Sequence, residues 1–156
     1  MKHRERVQMA LSHEAPDRCP MQISFTPEFA DRLRSELQLQ GHQVHNPHGG
    51  VNTCALERAL DEDLLLTSVG WANSYYQGED AYVDEWGVGW RAHPYTTPFG
   101  LGHYTEIVGH PLAEDDAIDR YTPPDPQRPE LYCDAERVIR EYGDEYWIVG
   151  VTVTTM

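Results

Sequence analysis

The sequence is poor in basic residues and has no long hydrophobic run. Only 12 Lys and Arg stand against 26 Asp and Glu, which gives a formal net charge of −14. The sequence has no cluster of basic residues that could neutralise a run of phosphates. We therefore expect no nucleic-acid partner. An anionic membrane surface would repel the chain for the same reason. No apolar stretch approaches the roughly 20 residues of a spanning helix, so we expect no membrane association.

Cysteine is also scarce, and several common motifs are missing. Cys19, Cys54 and Cys133 are odd in number and form no Cys-x-x-Cys pair, which is typical of reduced thiols. The first six residues carry charges without the apolar run of a signal peptide. These features predict a cytoplasmic protein. The absence of Gly-x-Gly-x-x-Gly, Gly-Lys-Ser/Thr and Gly-x-Ser-x-Gly argues against dinucleotide, nucleoside triphosphate and serine-hydrolase chemistry.

Short apolar runs alternate with amphipathic helices along the chain. The predicted strands are 19–25, 63–68 and 146–152, and the predicted helices are 2–13, one from Thr26-Pro27 through Leu37, 54–60 and 131–142. Since a helix is the usual connection between neighbouring parallel strands, this alternation predicts an α/β fold with a parallel sheet and about three βα units.

A long excursion, residues 69–112, separates the second predicted strand from the third helix. Within it, Tyr82–Arg91 has the pattern of a strand, a glycine turn and a second strand. We therefore predict a β-hairpin inserted in a βα loop.

The excursion contains the candidates for acid–base chemistry. Asp84 and Glu85 precede two tryptophans, and burial in an aromatic setting could raise a carboxyl pKa enough for general acid work. More often, the aromatic residues of a hairpin pack it onto its domain, which would give the carboxylates a structural role. His103 and His110 lie near glycines and could face a substrate or cap a turn.

Other polar residues could bind a ligand. The spacing of His42, His45 and His48 offers enough imidazoles for a metal, but the surrounding Gly and Asn predict a solvated loop, and we expect no metal site. If the strands are parallel, the substrate would meet small hydroxyl and aromatic side chains at their C-terminal ends. These candidates are Ser24, Phe25, Thr26, Ser68, Trp71, Thr152 and Thr154.

The N-terminal residues resemble a known family. Arg4–His13 together with Ala15–Pro20 is similar to the start of uroporphyrinogen decarboxylase-like proteins, a superfamily that includes zinc-dependent methyltransferases acting on corrinoid proteins. Asp84–Trp90, and His110–Leu112 followed by an acidic loop, resemble the methyltransferase-like branch. The resemblance implies a (β/α)8 TIM barrel. Since such a barrel needs roughly 250 residues, residues 1–156 are expected to be the N-terminal portion of one incomplete barrel domain.

Two departures from the family pattern bear on function. Where the resemblance implies an arginine-rich segment that binds substrate carboxylates, this chain has Ile23–Phe29, and where it implies a catalytic aspartate the nearest equivalent is Ser68. An octa-anionic porphyrinogen needs cationic partners. The resemblance therefore favours a full-length parent protein that moves a methyl group between a corrinoid and a thiol or methoxylated small molecule. Its zinc ligands would lie in a C-terminal half.

Two alternatives remain open at this point. The parent could decarboxylate uroporphyrinogen or a related carboxylated substrate, as the family name implies. The chain could also be a truncated, non-catalytic module, inactive alone, that self-associates or pairs with a missing C-terminal half because an open sheet exposes its edges.

Overall fold

The computed structural model describes residues 1–39, 53–69 and 80–151. In these ranges the chain forms a mixed α/β structure with one parallel and one antiparallel sheet, neither of which closes into a barrel. The helices are α1 (His3–Leu11), α2 (Pro27–Glu36), α3 (Ala55–Ala59), α4 (Ala117–Arg120) and α5 (Cys133–Tyr142). The strands are β1 (Leu64–Ser68), β2 (Ala81–Val83), β3 (Gly89–Thr97), β4 (Gly100–Gly109) and β5 (Trp147–Val151). Among the helices of this described part, none has both the length and the apolar character to cross a bilayer.

The parallel sheet consists of β1 and β5, which pair in register from Leu64 opposite Trp147 to Ser68 opposite Val151. Helix α5 precedes β5 and packs its apolar stripe on the sheet, because long side chains recur there at helical spacing. The core consists of buried residues from α5, β1 and the segments beside them: Cys54, Leu65, Val138 and Tyr146. The predicted parallel pairing is confirmed for these two strands.

The antiparallel sheet has the order β2-β3-β4. Its first turn confirms the strand, turn and strand predicted over Tyr82–Arg91, and β3 and β4 then form a longer hairpin closed by Pro98-Phe99. The hairpin tip packs on α2, where the rings of Phe29 and Phe99 lie 4.9 Å apart in an edge-to-face arrangement. Residues 70–79 lie outside the described ranges, so the placement of this hairpin in a βα loop over 69–112 stays a prediction.

The first predicted strand, Cys19–Phe25, is wrong, because these residues are irregular. The segment does lie beside the start of β1, where Asp63 N–H donates to the Met21 carbonyl at 2.8 Å. The next amide in position to continue a ladder, that of Ile23, donates instead to the Glu62 carboxylate at 3.2 Å. A side-chain acceptor thus replaces a backbone acceptor, and the described chain has two parallel strands rather than three.

Candidate functional site

A fully buried carboxylate, Asp63, organises the N-terminal end of β1. It accepts hydrogen bonds from Arg6 Nη1 and Arg18 Nη1, each at 2.5 Å, and from the Met21 backbone N–H at 2.8 Å. The Nδ1 atom of His3 lies 2.9 Å from the same carboxylate. Asp63 therefore joins α1, the segment after it and β1 through charge-assisted hydrogen bonds.

The electrostatics of this cluster keep Asp63 ionised. Burial by itself would raise the pKa of the Asp63 carboxyl, but hydrogen bonds from His3, Met21, Arg6 and Arg18 outweigh burial and hold the pKa below its ordinary value. The cluster sits where β1 begins, whereas parallel barrels build their reaction centres at the opposite, C-terminal ends of strands. Its role is to stabilise the fold. No sequence pattern indicated this cluster, although Arg6 and Arg18 both lie in the segments that carry the family resemblance.

The Asp84 carboxylate organises the first hairpin turn. Its Oδ1 accepts the backbone N–H groups of Trp86 and Val88, both at 2.9 Å, and its Oδ2 accepts the indole N–H of Trp90 at 2.8 Å. Three donors on one carboxylate favour the structural alternative for this residue. General acid catalysis by Asp84 stays a prediction that the geometry does not support.

The neighbouring residue, Glu85, holds a loop against the same turn. Its carboxylate forms an ion pair with Arg128, and the Tyr121 hydroxyl donates to the Trp86 carbonyl at 3.0 Å. The acidic, proline-rich segment before α5, residues 113–129, is thereby fixed to the hairpin. His103 lies within β4 opposite Pro94, so it does not cap a turn.

Few of the predicted strand-end residues lie at a strand end. Ser68 is the last residue of β1 and pairs with Val151 of β5, as predicted for a substrate-facing position. Ser24, Phe25 and Thr26 precede α2 outside any strand, so the prediction that they end a strand is wrong. The other candidates lie outside the described residues: Trp71, Thr152, Thr154 and the histidines His42, His45 and His48.

A cavity of about 420 Å³ lies along β5, between that strand, β1 and α5. It reaches Ser68 and Val151 at one end and Arg4 and Gly143 at the other. Its lining is mostly apolar, which is typical of small-molecule sites. This cavity was not predicted from the sequence, because it forms only where α1, α5 and the two strands meet.

Comparison with known proteins adds no assignment. No family model, curated protein or solved structure matches this chain. The resemblance to the uroporphyrinogen decarboxylase superfamily therefore rests on the sequence motifs alone.

The described residues do not fit a zinc site. Within 1–39, 53–69 and 80–151, no three His, Cys, Asp or Glu side chains are grouped to bind a metal ion. Burial raises the pKa of the Cys54 thiol to about 12, with the Glu57 carboxylate acting in the same direction. Since zinc binds thiolate, not thiol, Cys54 is a poor ligand and a poor nucleophile.

The thiols should differ sharply in reactivity. Cys19 and Cys133 are exposed and Cys54 is buried, so we expect an aromatic disulfide reagent at mildly alkaline pH to modify the first two rapidly. Cys54 should react only after denaturant is added, because the reacting species is the thiolate. In a Cys54→Ala variant, denaturant should release no further reactive thiol. Rapid reaction of all three thiols in the native chain would contradict the assigned burial.

Proposed function

We propose that this chain is the N-terminal part of a (β/α)8 barrel enzyme in the methyltransferase-like branch of the uroporphyrinogen decarboxylase superfamily. The parent would move a methyl group between a corrinoid, free or protein-bound, and a thiol or methoxylated small molecule. The observation that carries the proposal is the parallel pairing of β1 with β5, which are separated in the sequence by the hairpin and by helix α5. The order strand, hairpin, helix, strand is the one predicted from the sequence for residues 63–152, although the strand predicted before them does not form.

The parallel pair supports this proposal because it brings two C-terminal strand ends together. Ser68 and Val151 are neighbours across the pair, and barrel enzymes bind substrates at this edge. The Ser68 hydroxyl can orient a small substrate by donating or accepting a hydrogen bond. Zinc would activate a thiol in the parent by favouring its thiolate form. Because the described donor set does not fit zinc, no reaction step is assigned to the residues described.

The contacts of Arg6 and Arg18 favour methyl transfer over porphyrinogen decarboxylation. Arg6 and Arg18 are both bound to Asp63 at the N-terminal end of β1, away from Ser68. They are therefore not placed to bind substrate carboxylates at the strand ends. A porphyrinogen with eight carboxylates would need such cations.

The proposal is tested by comparing the 156-residue chain with a longer form translated from the same gene beyond Met156. We expect only the longer form to demethylate methylcob(III)alamin when a thiol is supplied, with the cobalamin absorbance as the readout. In the longer form, Ser68→Ala should raise KM about tenfold, the usual scale for losing a substrate hydrogen bond. Ser12→Ala serves as the matched control, because Ser12 is exposed and follows α1.

A further inference from the structure

The cavity along β5 contains a buried hydroxyl with an unused hydrogen-bonding capacity. Thr67 is 9% exposed, and its Oγ1 atom is buried with no hydrogen-bond partner among the described residues. Such groups are rare in folded proteins because losing water without a replacement partner is unfavourable. Thr67 pairs across the sheet with Gly150, where an added Cβ would meet no atom of the described residues within 4 Å. Open space therefore lies beside the pair that contains this hydroxyl.

The opposite end of the cavity carries a cation. Among the described residues of the lining, Arg4 is the only charged one, although the chain as a whole has a formal charge of −14. Its guanidinium lies 5.6 Å from the centroid of the Trp147 ring, and its Nη1 donates to the Gly143 carbonyl. A guanidinium has five N–H donors in a planar fork. The remaining donors suit a carboxylate, and none of the described lining residues is an acid that would repel one.

An apolar wall about 10 Å long separates the two polar ends of the cavity. Trp147, beneath Arg4, precedes Gly150 by three positions in β5, which corresponds to about 10 Å at strand spacing. Between them, Ile139 of α5 and Ile148 of β5 line the cavity. An extended alkyl chain of octanoate length spans this distance.

From this arrangement we propose that the cavity binds an amphipathic carboxylate with a second hydrogen-bonding group at the far end of a medium-length alkyl chain. The carboxylate binds Arg4, the chain packs on Ile139 and Ile148, and the distal group hydrogen-bonds with Thr67. The volume of about 420 Å³ is within the range of small-molecule sites. Binding of this kind needs neither a corrinoid nor a thiol, so its test is independent of the test for methyl transfer.

The test uses the full 156-residue chain and two probes, ω-hydroxyoctanoate and octanoate, followed by the methyl NMR signals of its isoleucines. We expect ω-hydroxyoctanoate to bind more tightly, with shifts at Ile139 and Ile148. Ile107 and Ile118, which lie outside the cavity, should not shift. Thr67→Val should remove the difference between the probes, and Arg4→Gln should weaken both by about tenfold. Gly150→Val should block both, because its side chain fills the open space.

Thermal melts of each variant show whether it remains folded. Thr67→Val has an independent expected effect, because removing a buried hydroxyl without a partner should raise the melting temperature of the unliganded chain. The proposal is overturned if neither probe shifts the signals of Ile139 and Ile148. Equal shifts at Ile107 and Ile118, or an unchanged preference in folded Thr67→Val, would likewise overturn it.

Discussion

Replacing Asp63 with asparagine is expected to lower the free energy of unfolding by about 3 kcal/mol. The carboxylate is fully buried and is the shared acceptor for Arg6, Arg18 and the Met21 amide. An asparagine keeps the shape but removes the charge and turns one acceptor into a donor that faces other donors. Urea denaturation followed by far-ultraviolet circular dichroism measures the change.

The matched control is Asp116→Asn. Asp116 pairs with Arg120 one helical turn away, and both side chains are about two-thirds exposed, at 68% and 69%. Exposed pairs of this spacing contribute about 0.5 kcal/mol or less. If Asp63→Asn were no more destabilising than Asp116→Asn, the cluster at the start of β1 would not hold α1 to the sheet.

The same cluster predicts how stability depends on acidity. The pKa of Asp63 is lowered in the folded state, as is that of Asp17, whose carboxylate is hydrogen-bonded to Arg6. A lowered folded pKa contributes stability that is complete above the unfolded value of about 3.9 and is lost as the pH falls toward the folded value. We therefore expect the urea midpoint to drop below about pH 4, and to drop less in Asp63→Asn. If the urea midpoints of the two proteins fell equally with decreasing pH, Asp63 would not have a lowered pKa in the folded state.

Leu65→Ala is the second substitution with a large expected effect, a loss of about 3 kcal/mol. Leu65 is 0% exposed and packs in one cluster with Cys54, Val138 and Tyr146, so truncation leaves a cavity between β1 and α5. The urea midpoint should fall without a change in the slope of the transition. Leu101→Ala in β4 is the control, because Leu101 is 61% exposed and should cost little. Similar losses for both variants would mean that the parallel pair does not form the core.

Local patterns predicted α5 and β5 well, since several signals agree there. The apolar stripe ending at Tyr142, the glycine at the helix end and the run Trp147–Val151 all point to a helix followed by a buried strand. Residue propensity, apolar periodicity and the helix-ending signal agree here, and no boundary of the observed elements departs from the prediction by more than two residues.

The strand predicted over residues 19–25 does not form, because the strand-like composition of this segment does not determine its hydrogen bonds. Those bonds are set by Glu62 and Asp63, carboxylates about forty positions later in the sequence that accept the amides of Ile23 and Met21. No local pattern records such a contact. The sequence could therefore give the extended character of the segment but not its exclusion from the sheet.

For the candidate site, the sequence identified the right turn but not the role of its carboxylate. An aspartate three residues before Gly87 is itself a turn signal, and the structure shows Asp84 accepting the amides of Trp86 and Val88. The cavity beside Thr67 was beyond prediction, because it depends on which residues face one another across β1 and β5. Ser68 was predictable, since its position follows from strand direction alone.

The central claim, a barrel methyltransferase with substrate at the ends of β1 and β5, is tested most directly by product analysis of the longer form. We expect methylated thiol to accumulate in step with the loss of methylcob(III)alamin, and uroporphyrinogen supplied in parallel to remain unchanged. Conversion of uroporphyrinogen to coproporphyrinogen without methyl transfer would contradict the claim and establish the decarboxylase alternative.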